Sequence, residues 1–190
     1  MKRVLTLVIS IALLVGIGGI SWSGGQGLGI KWGILSPLTG PFATLAEKQK
    51  QGAILALEEL KAGGGPFADL EWFIEDTELN PEVAKAKAKE LITGKGVQFI
   101  TGCISSSSAL AVRDVIDQYE VFFNPTAGAN EITTLDANCS RYVFRAELMS
   151  WQGVSALAHL VKDLVEKGEL GTRYWLLIPK GPYGYSMRDA

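Results

Sequence analysis

The amino-acid sequence predicts an α/β fold in which a parallel sheet carries helices on both faces. Short apolar segments alternate with helical patterns in the order β-α-β-α-β-α-β from Ile30 onward, and this alternation is typical of a parallel sheet. The apolar segments are continuous, as expected of strands that are covered on both sides. Hydrophobic residues make up 47% of the 190 residues and charged residues 20%, so the chain can bury a core.

The N-terminal residues have the layout of a secretory signal peptide. Lys2 and Arg3 precede the apolar run Val4–Val15, and Ser21 and Ser23 supply small side chains before a cleavage site. An uncleaved membrane anchor is the alternative, although the apolar run is short for a membrane span. We therefore expect a periplasmic or extracellular protein.

Helix and strand signals then follow in order. Thr44 and Glu47 have the spacing of a capping box, which predicts a helix that begins at Thr44 and ends at Gly63. Asn80 followed by Pro81 predicts the start of a second helix. The predicted strands are Ile30–Leu35, Leu70–Ile74, Val97–Thr101, Val121–Phe123 and Tyr174–Ile178, with Tyr142–Arg145 extended; further helices are predicted over Ser105–Asp117 and Ser150–Lys167.

Three small polar loops are expected at the carboxyl edge of this sheet, where ligands bind in folds of this class. They are Ser36–Ala43, Gly102–Ser107 and Pro125–Ala129. The second belongs to a serine run that opens a helix, where serine hydroxyls either cap the helix or hold a small anionic ligand. The convergence of three such loops favours ligand capture.

Several kinds of chemistry lack the residues they need. The net charge is −2 with no basic run, which argues against nucleic acid as a partner. The single histidine, His159, lies within an amphipathic helix, and the sequence has no Gly-x-Ser-x-Gly elbow and no cluster with metal-ligand spacing. Glu75, Asp76 and Glu78 are interpreted as solvated loop carboxylates. We predict no catalytic residue, metal or cofactor, and keep an exported serine hydrolase as an alternative.

The two cysteines, Cys103 and Cys139, leave two alternatives open. In an exported protein they can form one disulfide bridge. They can equally remain as two buried free thiols.

A set of motifs resembles, in order and spacing, the branched-chain amino acid ABC-transporter substrate-binding proteins of the type I periplasmic binding protein family. The resemblance covers nearly all of the chain after the signal peptide. The motifs are Ile30–Pro41, Gly52–Leu60, Asn80–Ala84, Gly102–Ser108, Asn124–Ala129, Tyr142–Arg145 and Pro182–Gly184.

The resemblance implies a fold of two α/β lobes that close on a ligand. It divides the chain into a signal peptide (1–23), a nearly whole first lobe (24–144) and a crossover with the start of a second lobe (145–190), so that the chain is a truncated form. It also implies a monomer that carries a branched-chain amino acid, or a related amide or small carboxylate, to a membrane ABC permease. A sensory ligand-binding domain of the same fold is the alternative.

The resemblance also implies a set of binding residues. Ser106 corresponds to the hydroxyl donor for the ligand carboxylate, with Ser107 beside it. Thr126 corresponds to a carbonyl contact to the ammonium, Gly128 to a backbone N–H contact, and Tyr183 to an aromatic side chain from the second lobe.

Two positions depart from this family. Leu45 stands where leucine-binding members carry a tyrosine, and Pro179–Pro182 replaces an acidic-aromatic run. These departures leave the identity of the ligand open. We also expect only weak binding by a chain of this length.

Overall fold

The computed structural model describes residues 27–134 and 139–190, so the predicted signal peptide lies outside the described residues. Four parallel strands form one sheet in the order β2-β1-β3-β4. The strands are β1 (Lys31–Ser36), β2 (Glu71–Asp76), β3 (Phe99–Gly102) and β4 (Phe122–Pro125). The predicted parallel sheet is confirmed.

The register of the sheet brings three strand ends together. Leu35 of β1 pairs with Gly102 of β3, and Gly102 pairs with Pro125 of β4. The loops that follow β1, β3 and β4 therefore leave the same edge of the sheet, as predicted.

Helices cover the two faces of the sheet unequally. They are α1 (Ala43–Ala62), α2 (Pro81–Glu90, continued by a π-helical turn over Leu91–Lys95), α3 (Ser106–Tyr119), α4 (Ser150–Glu166) and α5 (Pro182–Arg188). The larger core joins Leu35, Ile100 and Phe123 of the strands to residues of α2 and α3, whereas the smaller core joins Ile34 to Leu57 of α1. Since neighbouring residues of a strand point to opposite faces, α1 lies opposite α2 and α3.

The two predicted helix starts have different outcomes. The side chain of Asn80 accepts hydrogen bonds from the N–H groups of Glu82 (2.9 Å) and Val83 (3.4 Å), which confirms the predicted cap. The capping box at Thr44 is wrong. Helix α1 begins one residue earlier, at Ala43, without a side-chain cap, and the carboxylate of Glu47 pairs with Lys50 at 2.6 Å instead of turning back to the helix start.

The predicted strand Tyr174–Ile178 is absent from the structure, in which these residues have no regular secondary structure. Trp175 is 100% exposed and Leu177 is 97% exposed. A single strand gains hydrogen bonds and burial only from a neighbouring strand, and the described residues supply none here. Val143, by contrast, forms a parallel bridge with Phe123, so the predicted extended segment is confirmed at Val143, whereas Tyr142 lies in a turn.

Within residues 27–134 and 139–190, no helix has the length and apolar character needed to cross a membrane.

Candidate functional site

The carboxyl edge of the sheet is built around Gly102, where the backbone of β3 passes very close to β1. A Cβ atom at Gly102 would lie 1.9 Å from the carbonyl oxygen of Leu35, and its φ of +123° belongs to the region that favours glycine. The next N–H, of Cys103, donates to the same Leu35 oxygen at 2.8 Å, and the carbonyl of Gly102 accepts from Thr126 N–H at 2.8 Å. These bonds fix the β3 and β4 loops to the end of β1.

The serine run both caps a helix and contacts a neighbouring loop. Ser105 is the N-cap of α3, where its hydroxyl accepts from Ser108 N–H at 3.4 Å and lies 3.0 Å from the hydroxyl of Ser107. Ser106 is only 5% exposed, and its hydroxyl accepts a hydrogen bond from Ala129 N–H at 3.3 Å. The two interpretations of the run therefore fall on different serines, with capping by Ser105 and a loop contact by Ser106.

Gly128 and Tyr183 lie against each other although 55 positions separate them in the sequence. A Cβ atom at Gly128 would come within 2.8 Å of the ring carbon Cε2 of Tyr183. The carbonyl of Gly128 also accepts from the N–H of Ser150, the first residue of α4, at 2.8 Å. The structure thus brings Ser106, Gly128 and Tyr183 together around one loop, whereas the hydroxyl of Ser107 is directed to Ser105.

Thr126 belongs to the same loop, and its N–H and its hydroxyl have different surroundings. Its N–H binds the carbonyl of Gly102. Its hydroxyl is buried and has no hydrogen-bond partner among the described residues. Thr126 lines a cavity of about 190 Å³ between α1 and the strand ends.

Sequence reasoning missed Arg145, which holds this loop in place. Its guanidinium donates to the carbonyls of Ala127 (3.1 Å) and Ala129 (2.5 Å) and to the hydroxyl of Thr133 (2.7 Å). Burial lowers the pKa of Arg145, against the opposing charge of Glu131. An arginine that ends an apolar strand is the signal that would have found it, because a buried guanidinium must be hydrogen-bonded.

Asn130 was also missed, and it links the loop to the C-terminal helices. Its side-chain oxygen accepts from the hydroxyl of Ser150 (3.0 Å) and the N–H of Trp151 (3.2 Å), and its amide nitrogen donates to the carbonyl of Ser186 at 3.3 Å. The hydroxyls of Ser150 and Ser186 are themselves hydrogen-bonded at 2.5 Å. Helices α4 and α5 are therefore anchored beside the candidate site.

The loop after β1 is organised by Asp76, one of the three carboxylates predicted to be solvated. It accepts hydrogen bonds from the N–H groups of Leu38 and Glu78, both at 2.8 Å. Burial opposes the charge on Asp76, but hydrogen bonds from Glu78, Thr39 and Leu38 outweigh it and lower the pKa. This carboxylate thus has a structural role, and the described residues contain no group of side chains arranged to hold a metal ion.

Both cysteines are free thiols in the structure, so the disulfide alternative is not realised there. Cys103 is fully buried, and burial raises the pKa of its thiol to about 12. Cys139 is exposed, so the alternative of two buried thiols holds only for Cys103.

His159 lies on the exposed surface of α4 and contacts its own helix. Its ring nitrogen Nδ1 lies 2.7 Å from the carbonyl oxygen of Ser155, one turn earlier in α4, and the side chain is exposed. This contact agrees with its interpretation as an ordinary helix residue.

Known proteins are similar to this chain over most of its length. A sequence profile described as periplasmic binding protein matches residues 29–190. A leucine-, isoleucine-, valine-, threonine- and alanine-binding protein of Pseudomonas aeruginosa is 37% identical over 107 residues, covering 55% of this chain and 28% of that protein. Leu/Ile/Val-binding protein homolog 3 of Brucella melitensis is 29% identical over 160 residues, covering 83% of this chain and 41% of that protein.

Solved structures of ABC transporter binding proteins are also similar to this chain. An amino acid ABC transporter substrate-binding protein from Pseudomonas fluorescens Pf-5 aligns with a TM-score of 0.71 and 27% identity, covering 84% of this chain and 41% of that one. A solute-binding protein from R. palustris in complex with 4-hydroxybenzoate aligns with a TM-score of 0.68 and 26% identity, with the same coverage. The chain therefore spans less than half the length of these relatives.

Proposed function

Because the chain belongs to the periplasmic binding protein family, whose profile matches residues 29–190, we propose that it captures a small carboxylate at the carboxyl edge of its sheet. The observation that carries the proposal is the junction of Ser106, at the start of α3, with Gly128 and Tyr183. Solute-binding proteins release their ligand unchanged, so the proposal assigns no catalysis.

The chemistry of this junction favours an anion. Free N–H groups and the positive end of the helix dipole stabilise a carboxylate at a helix N-terminus. The hydroxyl of Ser106 now accepts from Ala129 N–H, and this leaves its own proton available to donate to a carboxylate oxygen. Charge-assisted bonds of this kind are about twice as strong as neutral ones.

We propose a branched-chain or related amino acid as the ligand. The relatives from Pseudomonas aeruginosa and Brucella melitensis support this choice by name. In this proposal the carbonyl of Thr126 accepts from the ligand ammonium, the N–H of Gly128 donates to the ligand, and the ring of Tyr183 covers it. Ser107 is proposed to contribute from the first turn of α3.

An aromatic acid is the second candidate, and a specific observation favours it. The relative from R. palustris was solved with 4-hydroxybenzoate. Both candidates share the carboxylate, so they differ in what must surround the rest of the ligand.

We further propose that the protein is exported, acts as a monomer and delivers its ligand to a membrane ABC permease. Support comes from the signal-peptide layout of the first residues and from relatives described as ABC transporter binding proteins. A sensory domain of the same fold would bind the same ligand but would not support uptake.

Titration followed by amide NMR tests the binding proposal. Leucine is expected to cause saturable shifts of the amides of Ser106, Gly128 and Ala129, and leucinol, which lacks the carboxylate, is expected to cause none. Ser106→Ala should weaken binding by about tenfold or more, because it removes one charge-assisted hydrogen bond. Thr93→Ala is the matched control, since the Thr93 hydroxyl binds Lys89 on an exposed turn.

The same titration separates the two ligands. Saturable shifts with 4-hydroxybenzoate and none with leucine would replace the amino acid by an aromatic acid. Equal binding of leucine and leucinol would refute the carboxylate contact itself. Urea unfolding of Ser106→Ala shows whether the variant still folds before its affinity is interpreted.

A further inference from the structure

The partly enclosed cavity beside Thr126 lies on the other side of the strand ends from Ser106. It has a volume of about 190 Å³ and lies between α1 and the ends of β1, β3 and β4. Its walls include Ile34, Ser36, Gln49, Lys50, Thr101 and Thr126. A space of this size accommodates a molecule of about five or six non-hydrogen atoms.

Two residues of the cavity wall each carry a buried polar atom that has no partner among the described residues. These atoms are the side-chain oxygen Oε1 of Gln49 and the hydroxyl oxygen Oγ1 of Thr126, and both are buried. A buried polar group without a hydrogen bond destabilises the folded protein. The wall therefore favours an occupant that can bond to both atoms.

The remaining polar groups of the wall already have partners. The hydroxyl of Ser36 donates to the carbonyl of Ala46 at 3.3 Å, and the hydroxyl of Thr101 donates to the carbonyl of Asn124 at 3.1 Å. The ammonium of Lys50 pairs with Glu47 at 2.6 Å. Because the charge of Lys50 is balanced by this pair, the cavity offers no uncompensated charge to an ionic ligand.

We propose that this cavity binds a small uncharged alcohol or diol. The hydroxyl group of such a ligand donates to Gln49 Oε1 and exchanges a hydrogen bond with Thr126 Oγ1, while its carbon atoms lie against Ile34 and Ala53. Apolar walls with a few convergent polar groups are typical of small-molecule sites.

This site is distinct from the proposed carboxylate site, although one residue joins them. Ser106, Gly128 and Tyr183 are absent from the cavity wall. Thr126 offers its side-chain hydroxyl to the cavity, whereas its backbone carbonyl is the proposed contact to an amino acid. Replacing the side chain therefore leaves the carbonyl in place.

Titration of the chain with propane-1,2-diol, followed by NMR, tests the proposal. We expect saturable shifts of the Gln49 side-chain amide and of the Thr126 backbone amide. Lactate, which has the same three-carbon skeleton but a carboxylate, should give no shift of the Gln49 amide. Thr126→Val and Gln49→Leu should each weaken diol binding by about tenfold, because each removes one hydrogen bond and keeps a similar volume.

Gln51→Leu is the matched control, because Gln51 is exposed on the same helix and bonds to Glu47 at 3.1 Å. It should leave diol binding unchanged. Shifts that rise linearly without saturation, or that persist in both cavity variants, would overturn the proposal and leave water as the occupant. Binding of lactate in place of the diol would also overturn it. Propane-1,2-diol lacks a carboxylate, so this result is independent of the titration with leucine.

Discussion

Residues 27–134 and residues 146–190 differ in how they use their apolar side chains. In the first region, Ile100 and Phe123 are each 1% exposed, because the strands pair and the helices cover them. In the second region, Leu157 is 59% exposed, Leu176 is 65% exposed, and Ser150 is the buried residue of α4. The contrast shows that apolar sequence becomes core only where neighbouring elements are present to cover it.

The largest expected effect on stability is at Gly102, because the close approach of β3 to β1 leaves no room for a side chain there. Gly102→Ala places a Cβ 1.9 Å from the Leu35 carbonyl at a φ of +123°. We expect a loss of about 4 kcal/mol or more in the free energy of unfolding, measured with urea. Gly52→Ala is the control: nothing lies within 4 Å of its added Cβ, so a gain of roughly 0.5–1 kcal/mol is expected in helix α1.

A pair of leucine truncations tests the comparison of the two regions directly. Leu35→Ala empties a site that is 0% exposed and should cost about 3 kcal/mol. Leu177→Ala changes a side chain that is 97% exposed and should alter stability by less than about 0.5 kcal/mol. Equal losses in urea unfolding would mean that the second region has a core of its own.

The boundary between the two regions is tested at Arg145. Arg145→Met removes the hydrogen bonds to Ala127, Ala129 and Thr133, and should cost about 1–3 kcal/mol. Hydrogen exchange should speed up for the amides of the 127–133 loop and remain slow in β1. Uniformly faster exchange throughout the sheet would contradict a local role for this side chain.

The smallest expected effect is the contribution of Asp76 to the pH dependence of stability. Its pKa is lower in the folded protein than in the unfolded chain, so its contribution to stability is present above the unfolded pKa. That contribution is lost as pH falls through the folded pKa. Asp76→Asn should flatten the acid limb of a stability profile, measured by urea unfolding between neutral pH and pH 3. An acid limb with the same slope in Asp76→Asn as in the unchanged protein would contradict this role of the carboxylate.

The fold was largely predictable because its signals are local. The caps and apolar runs around Asn80 and Phe123 mark elements that the sheet then holds in register. The run Tyr174–Ile178 has the same local character as Val121–Phe123, but a strand also needs a neighbour, and no local signal reports one. The capping box at Thr44 was wrong for a similar reason, since Glu47 had a competing partner in Lys50.

The position of the candidate site at the edge of the sheet was predictable from the sequence, whereas the hydrogen bonds that support it were not. The order of strands and loops indicated the edge where Ser106 and the loop of Gly128 meet. The roles of Arg145 and Asn130 depend on hydrogen bonds to residues that are distant in the sequence. Arg145 bonds to a residue 12 positions away and Asn130 to one 56 positions away. A sequence signal can single out such a side chain, as at Arg145, but it does not show which partner the side chain reaches.

The position of Arg145 has a mechanical consequence. The N–H of Phe144 donates to the carbonyl of Phe123 in β4, and Arg145 follows with its bonds to Ala127 and Ala129. Any tension on the chain beyond Arg145 is therefore borne first by the loop that also carries Gly128. A force applied to the residues after Arg145 would act on this loop before it acted on the sheet.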